Sequence, residues 1–318
     1  MAKQARLLKN ALPKGYRLPE YEIEKPISEG GFSVVYYATH LPTNERVVIK
    51  EYFPVKHARR LATGRVETLT EEASRSFGLG IKRFFNEGSA LAKLSHPNIV
   101  HVTHMFRANN TVYMVMDYEV GRDMRWYIKR KNGGLTEKFM RTVFPEVLSG
   151  LNVLHENKIL HLDIKPANIL LRSGGHPLLI DFGAVKQVQG TASLEVKGQT
   201  LTQGYAPLEQ HNHGNIGEWS DIYAVGASMY SCLSGKPPPP AIERVNRDDL
   251  EAEIMAYEKR GYSHALLDSM VRALKMDLTE RTQNVSEFLE LLNTQPDRSR
   301  VMSFLSQPVR FGRHKKTS

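Results

Sequence analysis

Cysteine is almost missing from this 318-residue chain. Cys232 stands alone, so no intrachain disulfide and no cysteine-built zinc site can form, and redox chemistry is not expected. No stretch approaches 18 uninterrupted apolar residues, so no membrane-spanning helix is expected. The first twenty residues also lack the apolar run of a secretory leader, and the cytoplasm is the expected location. A charge of one sign over the body is lacking too. The net charge is +9, but residues 1–20 hold Lys3, Arg6, Lys9, Lys14 and Arg17 against Glu20. Residues 297–318 hold Arg298, Arg300, Arg310, Arg313, Lys315 and Lys316 against Asp297. The span between them is therefore neutral, which is not the charge pattern of a nucleic-acid-binding domain. The basic ends are expected to be solvated, with contact to an anionic partner as the alternative.

What is present suits a globular protein: 41% hydrophobic and 24% charged residues, in a length that fits one large domain or two associated lobes. From Tyr21 the pattern reads as strands, with Val34 to Tyr37 and Arg46 to Lys50 joined by a turn at Leu41 to Asn44, hence a hairpin. Residues 54–80 are polar and contain Gly64, Gly78 and Gly80, the composition of a mobile surface loop. A helix-period stretch follows, with Phe84, Ala90 or Leu91, and Leu94 on one face, stopped by His96-Pro97. Two further strand-like runs, Ile99 to Phe106 and Thr111 to Tyr118, complete a small antiparallel sheet with one helix. After Gly121 the character turns helical. Phe139, Val143, Val147, Leu151 and Leu154 recur at helical steps, with Pro145 expected to kink that helix. Short strands are expected at Ile169 to Leu171 and Leu178 to Ile180, with four more helices between Trp219 and Leu292. The class is thus α+β, with a sheet lobe over about 21–120 and a helical lobe over about 121–296. Trp126 and Trp219 are expected in the core, and the His211-x-His213 pair, having no third ligand, at the surface.

Two groups of residues could carry chemistry. Gly30-Gly31 sits between two strands, with Lys50 ending the next. Such glycines commonly make only a hairpin turn, but backbone amides freed of side chains can also approach phosphate oxygens, with the strand lysine reaching the same oxygens. The second group is His161 to Asn168 followed by Leu178 to Gly183. Asp and Asn in loops commonly form Asx turns. Asp163, Asn168 and Asp181 flank a short apolar hairpin, however, and converging there they would suit hard cations, leaving one carboxylate for a hydroxyl proton.

With these residues the chain resembles the eukaryotic-like protein kinases, serine/threonine branch, over about Tyr21 to Leu292. The resemblance implies the two-lobed kinase fold and transfer of the ATP γ-phosphoryl to protein serine or threonine, with ATP and Mg²⁺ or Mn²⁺ as cofactors. It assigns Asp163 as catalytic aspartate, Lys165 as the γ-phosphate lysine, and Asn168 and Asp181 as metal ligands. Gly30, Gly31 and the residues to Val35 form the phosphate cover. By the same resemblance Lys50 is expected to contact the α and β phosphates and to pair with Glu87. Ile27, Phe32, Val35, Val48, Met116, Asp117, Glu119 and Leu170 fall in the ATP pocket. Glu209, in an Ala206-Pro207-Leu208-Glu209 version of the Ala-Pro-Glu element, is expected to pair with Arg281, and Asp221 to brace the catalytic loop. Thr202 is expected near Asp163. Lys50-Glu51-Tyr52-Phe53-Pro54 and Tyr205 to Gln210 resemble a bacterial subgroup.

The sequence also departs from that family. Ser28 and Ser33 replace two loop glycines, Val48 replaces the usual alanine, and the interval from Lys50 to Glu87 is long. Leu162 stands where many members have the arginine that binds a phosphorylated activation loop, so phosphorylation at Thr191, Ser193 or Thr200 is not expected to be the switch. Two rival functions remain. One is an aminoglycoside-type small-molecule phosphotransferase, against which Lys165, Phe182-Gly183 and the Ala206 to Glu209 element weigh. The other is a pseudokinase scaffold, against which every occupied catalytic position weighs.

Overall fold

The computed structural model describes residues 8–182, 186–187, 201–212 and 214–294. The expected hairpin is there: β1 (Tyr21–Glu29), β2 (Ser33–His40) and β3 (Glu45–Tyr52) form an antiparallel meander. Next come β4 (Ala58–Arg60), β5 (Val66–Thr68), α1 (Glu71–Leu91), β6 (Val102–Ala108) and β7 (Thr111–Asp117). The main sheet has the order β1-β2-β3-β7-β6. Strand alternation divides its two faces. Val34, Tyr36, Ile49, Tyr113 and Val115 are buried in one core cluster, while Val35, Tyr37, Val48 and Lys50 point the other way, into a cleft.

Residues 54–80 are not the loop their composition suggests. β4 and β5 make an antiparallel hairpin, and α1 already begins at Glu71, so Gly78 and Gly80 lie inside it. Thr70 caps this helix by accepting from the Ala73 amide at 3.1 Å, and Glu71 and Glu72 face the positive end of its dipole. The first turns of α1 are polar because solvent covers much of them. At Gly80 a Cβ would lie 1.8 Å from the Tyr52 hydroxyl, so with any larger residue this ring would have to move from its place against the helix.

Residues 8–20 correct a second expectation. The charge count sets them apart as a basic segment, but Leu12 and Leu18 are buried in the sheet core, and the Leu12 amide donates to the Tyr36 hydroxyl at 3.1 Å. Residues 1–7 and 295–318, which carry most of the end charge, lie outside the described residues.

The second half is mainly helical. β8 (Gly121–Asp123) leads to α2 (Met124–Lys131) and α3 (Glu137–Glu156), then β9 (Ile159–Leu160), β10 (Ile169–Arg172) and β11 (Pro177–Leu179). β10 pairs with both β11 and β8, and β12 (Lys186–Gln187) pairs with β9. Then come α4 (Leu208–His211), α5 (Glu218–Ser234), α6 (Ala241–Arg244), α7 (Leu250–Met255), α8 (His264–Ala273) and α9 (Val285–Asn293). Every residue of α5 from Ser220 to Leu233 is buried, which makes it the axis of this half. Cys232 belongs to it, its thiol 3.5 Å from the Met124 sulfur. α3 is not ended by Pro145, which has no amide proton for the Arg141 carbonyl. The tryptophans are not core residues either. Trp126 is exposed, its ring covered by the Arg130 guanidinium at 5.0 Å, and Trp219 is half-buried.

Candidate active site

A cleft of about 530 Å³ lies between the main sheet and the helical half. Its roof follows from the strand register: Val35 pairs with Lys50 and Tyr37 with Val48, so alternation aims all four at the same side. Ile27 and Ser28 continue the roof. Met116, Asp117 and Glu119 form the rear wall, where β7 passes to β8, and Leu170, Ile180, Asn168 and Asp181 form the floor. Of the residues expected around a nucleotide, Gly30, Gly31 and Phe32 lie at the tip of the β1–β2 turn and not in the wall, and Glu87 is half-buried on α1. The Lys50 ammonium, 3% exposed, donates to the Asp181 carboxylate. The sequence reading did not give Lys50 this partner. Lys50 holds the Asp181 carboxyl below the usual carboxylate range, against the opposing effect of burial.

Two residues of the floor are held under strain, Leu162 in the loop between β9 and β10 and Asp181 just after β11. Leu162 has φ +59° and Asp181 φ +66°, left-handed conformations that side chains rarely adopt. Buried Asp221 on α5 accepts from the His161 amide at 2.9 Å and the Leu162 amide at 2.7 Å, and contacts His155 Nε2 at 2.9 Å. Burial pushes the His161 imidazole below its usual pKa, so it is neutral, and its ring packs on Phe182 with centroids 5.1 Å apart.

Four polar side chains meet above that loop. The Lys165 ammonium donates to both Asp163 oxygens at 2.8 and 2.7 Å and to Thr202 Oγ1 at 2.9 Å. Thr202 donates to Asp163 Oδ1 at 2.9 Å, and Asn168 Nδ2 to the Asp163 carbonyl and Oδ2 at 2.8 and 3.0 Å. Asp163 is thus fixed by three donors while its carboxylate remains partly exposed. Asn168 and Asp181 both line the cleft, and each carries a side-chain oxygen. Two hard oxygen donors side by side suit Mg²⁺, which takes one or two protein oxygens and completes its shell with phosphate and water. Among the described residues no cluster of three His, Cys, Asp or Glu could hold a metal unaided.

Below the loop, Arg281, fully buried, donates to Glu209 Oε1 at 2.6 Å, and Ser220 donates to the same oxygen at 2.8 Å. Gln210, which the sequence reading passed over, donates from its buried amide to the Leu162 carbonyl at 3.0 Å. Its position directly after Glu209 was the available signal. Leu162 itself packs with Leu160, Ile216 and Leu201 in a small apolar cluster. Gly183, Thr191, Ser193, Thr200 and His213 lie outside the described residues.

Among the described residues no helix is long and apolar enough to cross a membrane. Comparison with known proteins finds the family model "Protein kinase domain" matching residues 21–301. The chain is 29% identical over 218 residues to the probable serine/threonine-protein kinase PknB of Lactococcus lactis, covering 69% of this chain and 32% of that protein. It is 29% identical over 283 residues to the serine/threonine-protein kinase PknA of Nostoc, covering 86% and 46%. The chain therefore spans less than half the length of these curated relatives. Among solved structures, the apo form of PpkA-294 superposes with a TM-score of 0.76 at 33% identity, over 89% of this chain and all of that one. Its two lobes take the protein kinase fold, and by the match over residues 21–301 the chain belongs to the protein kinase domain family.

Proposed function

We propose that the chain transfers the γ-phosphoryl group of ATP to serine or threonine hydroxyls of proteins, and that it acts in the cytoplasm. The observation that carries this reading is the cluster of Asp163, Lys165, Asn168 and Thr202 at the cleft floor, directly beside the Lys50–Asp181 pair. The acceptor oxygen attacks the γ-phosphorus, the bond from that phosphorus to the β–γ bridging oxygen breaks, and ADP leaves with the electron pair. Asp163 takes the hydroxyl proton, and Lys165 holds the transferring group's charge. Lys50, paired with Asp181 and read as a partner of Glu87, holds the α and β phosphates. Ile27, Val35, Val48, Met116 and Leu170 enclose the base. Mg²⁺, with Mn²⁺ as substitute, would be held by Asn168 and Asp181 and would neutralise phosphate charge. Catalysis of this kind rests on positioning and electrostatics. The relatives named as serine/threonine kinases support the acceptor class. Thr202 on Asp163, and the buried Glu209–Arg281 pair beneath it, weigh against a small-molecule phosphotransferase.

Asp163→Asn tests this. Turnover of a protein acceptor should fall by roughly a thousandfold or more, with ATP affinity within about threefold, because nucleotide binding lies with Lys50 and the metal oxygens. Wild-type turnover at saturating metal in that variant would overturn the assignment.

A further inference from the structure

The turn that carries Gly30 and Gly31 has little to hold it. It closes through one hydrogen bond, the Gly30 amide to the Ser33 carbonyl at 2.8 Å, and its tip is exposed. On one flank residues 53–55 support it: the Phe53 amide donates to the Phe32 carbonyl at 2.8 Å and the Val55 amide to the Gly31 carbonyl at 3.1 Å. The other flank is Glu29, the last residue of β1, and its carboxylate is gripped by a residue from far outside the sheet. Asn10 donates from Nδ2 to Glu29 Oε1 at 2.7 Å and from its backbone amide to Oε2 at 3.3 Å.

Asn10 is itself held. Its carbonyl accepts from Arg60 Nε at 2.6 Å. The rest of that guanidinium forms a fork on Glu51, Nη2 to Oε2 at 2.5 Å and Nη1 to Oε1 at 3.0 Å, and also reaches the Gly64 carbonyl at 2.8 Å. Glu51 is fully buried and directly follows Lys50 in β3. A continuous polar chain thus runs from the strand that carries Lys50, through Arg60 and Asn10, to the residue before Gly30.

We propose that Asn10 is a positioning residue for the nucleotide: through Glu29 it fixes the height of the Gly30–Gly31 turn above the phosphates, relative to Lys50. The proposal rests on the reading of that turn as the phosphate cover. A part-exposed hydrogen-bond pair contributes little to global stability, so its effect lies in geometry. Ser28 and Ser33 flank the glycines where the family has more glycine, so the turn has few backbone states of its own, and the anchor at its base selects among them.

The test is the affinity of the full chain for Mg²⁺·AMP-PNP and for adenosine, each by displacement of a fluorescent ATP analogue. Asn10→Ala removes the donor, and Asn10→Asp sets carboxylate against carboxylate. Both should weaken the triphosphate by roughly fivefold while adenosine stays within about twofold, because only the phosphates lie under the turn. Asn10→Asp combined with Glu29→Gln, in which the Gln amide becomes the donor, should restore triphosphate affinity to within about twofold. Unchanged triphosphate affinity in both single variants, an equal loss for adenosine, or no recovery in the double variant overturns the proposal. Gly30→Val separates this from the reading beneath it. A Cβ at Gly30 meets nothing closer than 3.8 Å and the residue is exposed, so added bulk there has room. If the variant leaves triphosphate affinity untouched, the turn is not the cover; if it weakens binding while the Asn10 variants do not, only the role of Asn10 falls.

Discussion

Two buried carboxylates, Glu51 in the sheet half and Asp221 in the helical half, solve the same problem by opposite means. Glu51 collects side chains: the hydroxyls of Tyr36 and Tyr113 at 2.7 and 2.6 Å and the Arg60 fork. Burial and the neighbouring carboxylate push both phenols well above the usual tyrosine range, so they stay donors. Asp221 collects main-chain amides at 2.7 and 2.9 Å, together with His155. A side-chain cage can relax by rotamer when its centre is lost, whereas amides at a residue of φ +59° cannot keep their conformation without their acceptor. The first arrangement attaches an inserted hairpin to the sheet. The second sets the shape of the loop that holds Asp163.

If that difference is real, the two carboxylates separate when each is removed. Asp221→Ala should cost at least about a hundredfold in turnover at saturating ATP, because Asp163 shifts by a fraction of an ångström. Glu51→Ala should instead cost about 3–5 kcal/mol of stability, by leaving the Arg60 charge buried without its partner. Turnover of the folded fraction should stay within about threefold at saturating ATP. Chemical denaturation and single-turnover assays read the two effects independently, and equal damage to turnover in both variants would erase the distinction.

A smaller effect sharpens the helical side of the comparison. His161, facing Asp163, Asp181 and Asp221, is neutral in the fold because burial lowers its pKa. The unfolded chain binds a proton there below about pH 6.5, the folded one only at lower pH. Stability from this group is therefore complete above about pH 6.5 and declines as pH falls toward the lowered folded value. The fall in unfolding free energy between pH 7 and 5 should be shallower in His161→Leu than in the wild type, and superimposable slopes would exclude His161 as the source.

The smallest expected effect is on phosphorylation. Leu162 offers no charge to a phosphate and is already packed against Leu201 and Ile216. Phosphatase-treated enzyme and the Thr191→Ala, Ser193→Ala, Thr200→Ala triple variant should retain activity within about threefold, less than about 0.7 kcal/mol in barrier. A hundredfold loss in both, with folding intact, would mean that another residue supplies the missing cation.

The same comparison marks what could be read in the sequence. Asp163, Asn168 and Asp181 drew notice as two acids and an amide flanking a short apolar hairpin, but Asx turns use the same residues, and it was the family resemblance that gave them roles. Asp221 was legible only through its place in an ordered set of family motifs. Glu51 and Arg60 were not: a Glu after a strand lysine and an Arg in a polar stretch look like solvated residues until tertiary structure joins them. Asn10 was hidden in the same way, behind a count of basic neighbours. The long polar beginning of α1 failed for a different reason. Gly78 and Gly80 in its interior spoke for a loop, and the Tyr52 ring that lies against Gly80 is 28 positions earlier.

The position of Cys232 has a practical consequence. Fully buried in α5 against Met124, with its thiol pushed far above the usual range by burial, it presents no thiolate to reagents in the folded protein. A cysteine introduced at Val120, 72% exposed where the chain crosses from the sheet half to the helical half, would therefore be the single maleimide target without any prior removal of Cys232. A fluorophore attached there could follow the opening and closing of the cleft in an otherwise unaltered chain.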